Sequence, residues 1–349
     1  MKAPTLNKKK TFSVSQYSYV LIFAALFLAY FLIAGGLQGK LKWTGITNIL
    51  RHSAVVGTLS LGMGIIIITG DIDLSVGAIL GCTASFGSVL FNLMNLAGLP
   101  VAVVIILTVL FCLVFGTLLG FINGALIGKM KLPAFIVTLA TSLIYRSISQ
   151  YTSRILSADI KGASANTYRL MTSPARDAMY DFGNGAVATI PIPGIIFLIV
   201  AAVMIYISTS TKYGKRLYAI GSNAKAAHMA GINVEWNRVS VFTLTGLLCG
   251  IGAAVWLCLQ GAVDPATCGV SNEMFAIAAV VLGGIAMSGG RGMMLGIIFG
   301  ALSYTVIDKI IAALNMDSLV NNSIKGAILL VAIVIQVLGP QIKGKKAKK

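Results

Sequence analysis

The sequence predicts an all-α polytopic membrane protein with about ten transmembrane helices in two related halves. Three observations predict it. Of 349 residues, 57% are hydrophobic and 11% are charged, against roughly 25% charged in ordinary soluble domains. The mean hydropathy is +0.90. The apolar residues also come in repeated runs of about 20, the length a helix needs to cross the hydrocarbon core. The 27 basic residues exceed the 10 acidic ones, giving a net charge of +17, which on a soluble chain would point to nucleic acid. Here apolar runs separate the basic residues too widely to build one binding face, and no nucleic-acid partner is expected. The same composition disfavours a soluble enzyme, a disordered chain and a secreted disulfide scaffold.

The elements follow in order. A basic start, residues 1–17, precedes an apolar span at 18–36. Many further apolar segments follow it, with no convincing cleavage site beyond Ala34-Gly35-Gly36, so it reads as an uncleaved first helix rather than a signal peptide. Spans near 53–69 and 76–95 are separated only by the short polar stretch 70–75. Spans at 101–128 and 132–149 flank a turn holding Lys129 and Lys131. The connection 150–191 is polar, carries Asp159, Asp177 and Asp181, and is long enough for a lid or docking surface. A span at 192–209 leads to a second polar connection, 210–239. Spans at 240–262, 273–288, 292–313 and 323–340 complete the ten, and a basic tail occupies 341–349. Residues 1–349 therefore read as a single membrane-spanning domain.

Ten spans place both termini on one side. With that side cytoplasmic, seventeen basic residues fall inside and seven outside, the asymmetry expected of the positive-inside rule. The predicted orientation is N-in/C-in.

Several chemistries are absent from the sequence. The five cysteines show no CxxC or Cys/His metal spacing, and their odd number argues against a disulfide framework. No G-x-x-x-x-G-K-[ST] phosphate loop and no H-E-x-x-H occur. The two histidines, His52 and His228, lie far apart. The stretch from Gly57 to Gly62 does not fit the G-x-S-x-G spacing of a nucleophile elbow. Transport is the leading class that is left.

The sharpest motif is Thr69-Gly70-Asp71-Ile72-Asp73-Leu74-Ser75-Val76-Gly77. Two carboxylates two residues apart are expensive at membrane depth unless they face protein or a cavity. Gly70 and Gly77 permit a helix break, and Asp71, Asp73 and Ser75 are helix-capping types. The motif reads as a structural cap at a broken helix, as a substrate or ion contact, or as a link to partner movement. A second motif, 213–233, holds a small helix with Asn223 as N-cap after Gly221-Ser222 and Gly231 as its stop. It reads as a rigid helix that presses into a partner, or as a solvated connection. Asn123, in Gly120-Phe121-Ile122-Asn123-Gly124, lies on a small-residue face suited to close helix packing, and its amide either bonds a neighbouring helix or lines a path.

Other polar residues have simpler readings. Asp308, Lys309 and Lys325 snorkel or pair, and Glu273 suits a helix N-terminus. Trp43 and Trp236 read as interface anchors, and Trp256 and Phe275 as candidates to line a path.

The 70–77 run, the 214–232 loop and the later Leu282-Gly283-Gly284…Ser288-Gly289-Gly290…Gly292…Gly296 occur in order at familiar spacing. Together they resemble the permeases of bacterial ABC importers for monosaccharides, over about residues 40 to 340. The resemblance implies a permease pair (a second copy or a homologous chain) in the bacterial inner membrane and its lipid. It also implies partner ATPase subunits that bind ATP and magnesium, and an extracytoplasmic sugar-binding protein. No cofactor is implied in this chain, and no ATPase site. By similarity, Gly221, Asn223, Lys225, Ala226, Ala227 and Gly231 form the ATPase-coupling segment. Gly70, Asp71, Asp73, Ser75, Gly77 and Asn123 become broken-helix or pathway candidates, with helices broken near 70–77 and 288–292. Two departures stand out. The family commonly has Asn-Pro-Glu-Ala-Ala where this chain has Asn223-Ala224-Lys225-Ala226-Ala227, and glycine where it has Asp71. The spacing of Gly70, Gly77 and Gly81 recurs in Gly289, Gly296 and Gly300, consistent with two related halves. The rival readings are a proton- or sodium-coupled secondary transporter, drawn from Asp71, Asp73 and Asp308, and an ABC permease for nucleosides or branched-chain amino acids.

Overall fold

A computed structural model describes residues 18–37, 43–157 and 168–314 and scattered positions between 323 and 334. The basic start, the tail at 341–349, most of the span at 323–340 with Lys325, and Asp159 and Lys161 of the 150–191 connection lie outside the described residues.

The described residues are mainly helical. In order run α1 (Ser18–Phe31, continued by a π-helical turn, Leu32–Leu37), α2 (Trp43–Ile68), α3 (Val76–Leu96), α4 (Val101–Gly128) and α5 (Ala134–Ser157). They are followed by α6 (Pro174–Asn184), α7 (Ile192–Ser210), α8 (Lys212–Ser222) and α9 (Ala224–Met229). Last come α10 (Val234–Gln260), α11 (Asn272–Leu282) and α12 (Met294–Ala313). Six of the described helices, α2, α3, α4, α7, α10 and α12, are long and apolar enough to cross a membrane, and α1 and α11 are shorter apolar helices. α5 is long enough, but Arg146 and its hydroxyl-bearing residues make it more polar.

Several boundaries differ from the sequence expectation. α2 begins at Trp43 rather than near 53, because the polar turn around Asn48 and Arg51 contains no helix breaker. α5 runs on to Ser157, well into the connection expected from residue 150. α10 begins at Val234 rather than 240, where the Asn233 side chain accepts a hydrogen bond from the Trp236 N–H at 3.0 Å. α11 stops at Leu282 rather than near 288. Two helices are additional: α6, capped by Ser173 with Pro174 in its first turn, and α8, capped by Thr211.

α2 and α3 form the centre, each with 83% of its most apolar window buried, whereas α4 and α7 present most of their surface outward. Between helices in lipid there is little hydrophobic driving force, so close contact of small residues carries the association. The α4–α10 seam shows this directly. Gly116, Gly120, Gly124 and Gly128 recur every four residues and lie against Gly250, Gly246, Val239 and the Glu235 carbonyl. A side chain on Gly120 would lie 2.7 Å from the Gly246 Cα, so glycine is what brings the two backbones together. The same seam runs α4 and α10 antiparallel. One end of the bundle therefore gathers the segments 69–75, 129–133, 210–233 and 283–293. The other end gathers α6 and two short antiparallel pairs: β1 (Tyr168–Arg169) with β4 (Ala262–Val263), and β2 (Ala186–Val187) with β3 (Ile190–Pro191).

Candidate functional site

α2 is closed by a Schellman motif. The Gly70 N–H reaches the Ile67 carbonyl at 2.9 Å and the Asp71 N–H reaches the Ile66 carbonyl at 3.1 Å. Gly70 sits at φ +88°, a conformation open to glycine without Cβ strain. Residues 69–75 are then non-helical until α3 begins. Asp73 and Ser75 are buried, and buried polar groups must find protein partners, which side chains here supply. The Asp73 Oδ1 accepts from the Ser75 N–H at 2.7 Å and from the Ser75 hydroxyl at 2.5 Å. The Ser75 Oγ in turn accepts from the Asn123 Nδ2 at 2.7 Å, and the Tyr145 hydroxyl donates to the Asn123 Oδ1 at 3.1 Å. The Leu74 N–H donates to the Thr138 Oγ1 at 3.1 Å. Asp73 is 1% exposed and lies just ahead of the α3 N-terminus, where the helix dipole favours a carboxylate. Ser75 is the N-cap residue, but its own side chain makes no cap bond; Asp73 supplies the acceptor instead.

Asp71 is engaged differently. Its Oδ2 lies 3.0 Å from the Arg238 Nε, and its Oδ1 accepts from the Arg238 Nη2 at 3.3 Å. Both carboxylate oxygens therefore face one guanidinium, on the second turn of α10. Gly77 lies apart from this group, against the Gly269 carbonyl and the Glu273 carboxylate.

The later glycine-rich stretch behaves as a second interruption built from backbone. α11 ends in the same motif as α2: the Gly284 N–H reaches the Val281 carbonyl at 2.9 Å, the Ile285 N–H reaches the Val280 carbonyl at 3.2 Å, and Gly284 has φ +80°. The terminating glycine is thus Gly284, upstream of the expected 288–292. Gly289, Gly290 and Gly292 also have positive φ. The Ala286 N–H donates to the Arg291 carbonyl at 3.1 Å, and the Gly290 N–H donates to the Ile68 carbonyl at 2.9 Å. That last bond satisfies an orphan carbonyl at the end of α2.

α8 and α9 close the group. α8 buries Leu217 and Ile220, and its Tyr218 hydroxyl donates to the Gly292 carbonyl at 2.9 Å. Burial raises the Tyr218 phenol above its ordinary value, which keeps it a donor. Gly221 fits against the Ile68 carbonyl and the Gly290 N–H, and a side chain on Gly289 would lie 3.0 Å from both the Gly221 carbonyl and the Gly70 Cα. Gly70, Gly221, Gly289 and Gly290 therefore meet at one joint. The Asn223 Oδ1 accepts from the Ala226 N–H at 2.9 Å to start α9, and Gly231, at φ +82°, ends it. Ala227 is buried, while Lys225, Ala226, His228 and Met229 are exposed.

Of the residues expected from the sequence, the structure joins Gly70 to Gly221, and Asp73 to Ser75 and Asn123. It leaves Gly77 elsewhere and Lys225, Ala226 and Gly231 on the outer surface. Arg238, Thr138, Tyr145 and Tyr218 are functional neighbours that sequence reasoning missed. For Tyr218 a signal existed: it shares the i, i+4, i+7 spacing of one face of α8 with Gly214 and Gly221, the glycines that fit closely against neighbouring backbone. Arg238 shows no comparable signal, since its partner is 167 residues away.

Fold and site define a polytopic helical membrane protein in which two non-helical segments, 69–75 and 283–293, meet α8 at one end. The chain belongs to the family described as branched-chain amino acid transport system / permease component, which matches residues 45–336. It is similar to the ribose import permease protein RbsC of Bacillus subtilis (strain 168), at 35% identity over 314 residues, covering 90% of this chain and 91% of that one. It is also similar to the xylose transport system permease protein XylH of Haemophilus influenzae, at 29% identity over 371 residues, covering 93% and 96%. The fructose import permease protein FrcC of Rhizobium meliloti is 32% identical over 298 residues, covering 83% and 77%. No solved structure matches the chain. Family and apolar helices together make this a multi-pass protein of the bacterial inner membrane.

Proposed function

We propose that the chain is the permease subunit of an ATP-driven importer for a monosaccharide, moving its substrate by alternating access. The observation that carries this reading is the joint at Gly70, Gly221, Gly289 and Gly290, where an exposed helix pair bears directly on both helix interruptions. Such a joint suits a protein that is moved from outside by a partner. In this reading α8–α9 seats on partner ATPase subunits that bind ATP and magnesium, with Gly221, Asn223, Lys225, Ala226, Ala227 and Gly231 forming the coupling surface. A binding protein delivers sugar at the opposite end, over α6 and its neighbours, and a second permease copy completes the pathway.

The finer topology belongs to the same proposal: ten spans in two related halves, both termini cytoplasmic, broken near 70–77 and 283–293. Two features support it. Lys129, Lys131, Lys212, Lys215, Arg216 and Lys225 all gather at the α8–α9 end, as the positive-inside rule requires of a cytoplasmic face. And Gly77 and Gly81 on α3 press on the carbonyls of Gly269 and Cys268, as Gly296 and Gly300 on α12 press on those of Gly283 and Ala279.

The family description names branched-chain amino acids, whereas the relatives above are named for ribose, xylose and fructose; the full-length likeness to the latter favours a sugar. The test is uptake by proteoliposomes holding the chain with its genomically adjacent ATPase and binding protein, offered labelled ribose, xylose, fructose and leucine. ATP-dependent accumulation of a monosaccharide is expected. Accumulation of leucine alone, or uptake driven by an ion gradient without ATP, would overturn the reading.

A further inference from the structure

At the glycine joint two hydrogen bonds, from the Gly290 N–H to the Ile68 carbonyl and from the Tyr218 hydroxyl to the Gly292 carbonyl, hold α2 and α8 to segment 283–293. Segment 69–75 meets the joint by steric contact at Gly70, and its tie towards α9 and α10 is the pair Asp71 and Arg238. Asp71 stands in the non-helical segment 69–75, whose other side-chain ties run to α4 and α5 through Asn123 and Thr138. Arg238 stands on the second turn of α10, and only residues 230–233 separate α10 from α9. The pair has one charge-assisted hydrogen bond, from the Arg238 Nη2 to the Asp71 Oδ1 at 3.3 Å, and the close approach of Nε to Oδ2 at 3.0 Å adds charge attraction. The Asp71 side chain is 10% exposed and that of Arg238 32%, so solvent screens the pair less than one lying on the open surface. A second ion pair at the same end gives the contrast: Lys131 and Glu235 lie 3.0 Å apart but are 73% and 44% exposed, a setting in which ion pairs contribute little.

We infer that the Asp71–Arg238 ion pair is a latch binding the first helix interruption to the start of α10, so that 69–75 follows α9 when it withdraws as well as when it advances. Arg238 is thus a positioning residue for transport, acting through Asp71. The latch itself is independent of the transport reading; only its effect on coupling rests on it.

Two measurements on Asp71→Asn, Arg238→Gln, the charge exchange Asp71→Arg/Arg238→Asp, and Lys131→Ala as control separate these parts. In the purified full chain, amide hydrogen exchange over 69–75 is expected to quicken about five- to thirtyfold in either single variant. It returns towards wild type in the exchange variant and is unchanged in Lys131→Ala. Unchanged exchange in both single variants, or no restoration by the charge exchange, overturns the latch. In the reconstituted complex with ATPase and binding protein, offered ribose, xylose or fructose, the single variants are expected to hydrolyse at least about twice the ATP per sugar accumulated, and the charge exchange to reverse this. An unaltered ratio with quickened exchange overturns the role in coupling. Failure of the wild-type complex to accumulate any of the three sugars defeats the transport reading instead, and the exchange result still decides the latch.

Discussion

The two helix interruptions solve one problem by opposite means. Both α2 and α11 are stopped by a glycine in the left-handed region, Gly70 and Gly284, with the same pair of closing hydrogen bonds. Beyond that point they diverge. Residues 69–75 satisfy their backbone with side chains, through Asp73, Ser75, Thr138 and Asn123, and add a charge pair. Residues 283–293 contribute backbone rather than side chains of their own, with Gly284, Gly289, Gly290 and Gly292 at positive φ, a bond from the Gly290 N–H to the Ile68 carbonyl, and one from the Tyr218 hydroxyl of α8 to the Gly292 carbonyl. The difference teaches where each can be adjusted. A side-chain network tolerates graded substitution and is tied to α4, α5 and α10, whereas a glycine-built turn has no side chain to trade and fails when a Cβ is added.

The largest expected effect lies where the two interruptions share a contact. Gly221→Val would drive a branched side chain into the Ile68 carbonyl and the Gly290 N–H, and the backbones on both sides have little room to move. A loss of about 3 kcal/mol or more is expected. The check is thermal unfolding in detergent with size-exclusion profiles, and a variant as stable as wild type would mean that the joint is loose. Next comes the side-chain interruption. Asp73→Ala leaves the Ser75 N–H and hydroxyl without their carboxylate in a site that is 1% exposed. Stranding such groups costs about 1–3 kcal/mol. Asp73→Asn keeps one acceptor oxygen and is expected to cost less, so the two melting temperatures should separate in that order. Equal melting of the two variants would show that the carboxyl oxygens do not carry the network.

These elements differ in how far the sequence revealed them. Long apolar runs made helices visible: each of the first nine expected spans overlaps one, and six of these helices are long and apolar enough to cross a membrane, because hydrophobicity over about 20 residues is a local signal. Helix starts and stops were also local: Gly70 and Gly231 as stops and Asn223 as the N-cap of α9 act at the positions their chemistry suggested. The boundary of α11 was not visible, since a chain with 38 glycines offers several plausible stops and only the conformation singles out Gly284. Pairings over long sequence distances were hidden for a different reason. Asn123 was a polar residue on a small-residue face, and its bond to Ser75 depends on how α3 crosses α4. Asp71 suggested a cap, a ligand contact or a link to partner movement; its engagement by Arg238 emerges only once α10 starts six residues earlier than its apolar run implies.

The smaller effects test the surface beside the joint. Gly231 sits at φ +82° with open space around the position of a side chain, so Gly231→Ala meets no clash and acts on the backbone alone. The left-handed conformation costs a residue with a Cβ about 1–2 kcal/mol. That strain falls on the turn between α9 and α10, leaving the helix bundle unaffected. Global unfolding should therefore shift little and membrane insertion not at all, while uptake by the reconstituted complex falls several-fold. The smallest effect is expected at Lys131, whose ammonium meets Glu235 in solvent. Lys131→Ala should leave melting and uptake within error, since the exposed pair is screened and Glu235 still lies in the first turn of α10, where its charge is favoured without a partner. The contrast between these two is the informative measurement. If Lys131→Ala impairs uptake as much as Gly231→Ala, charge at this end matters more than the presentation of α9, and the basic surface rather than the rigid helix becomes the contact to pursue.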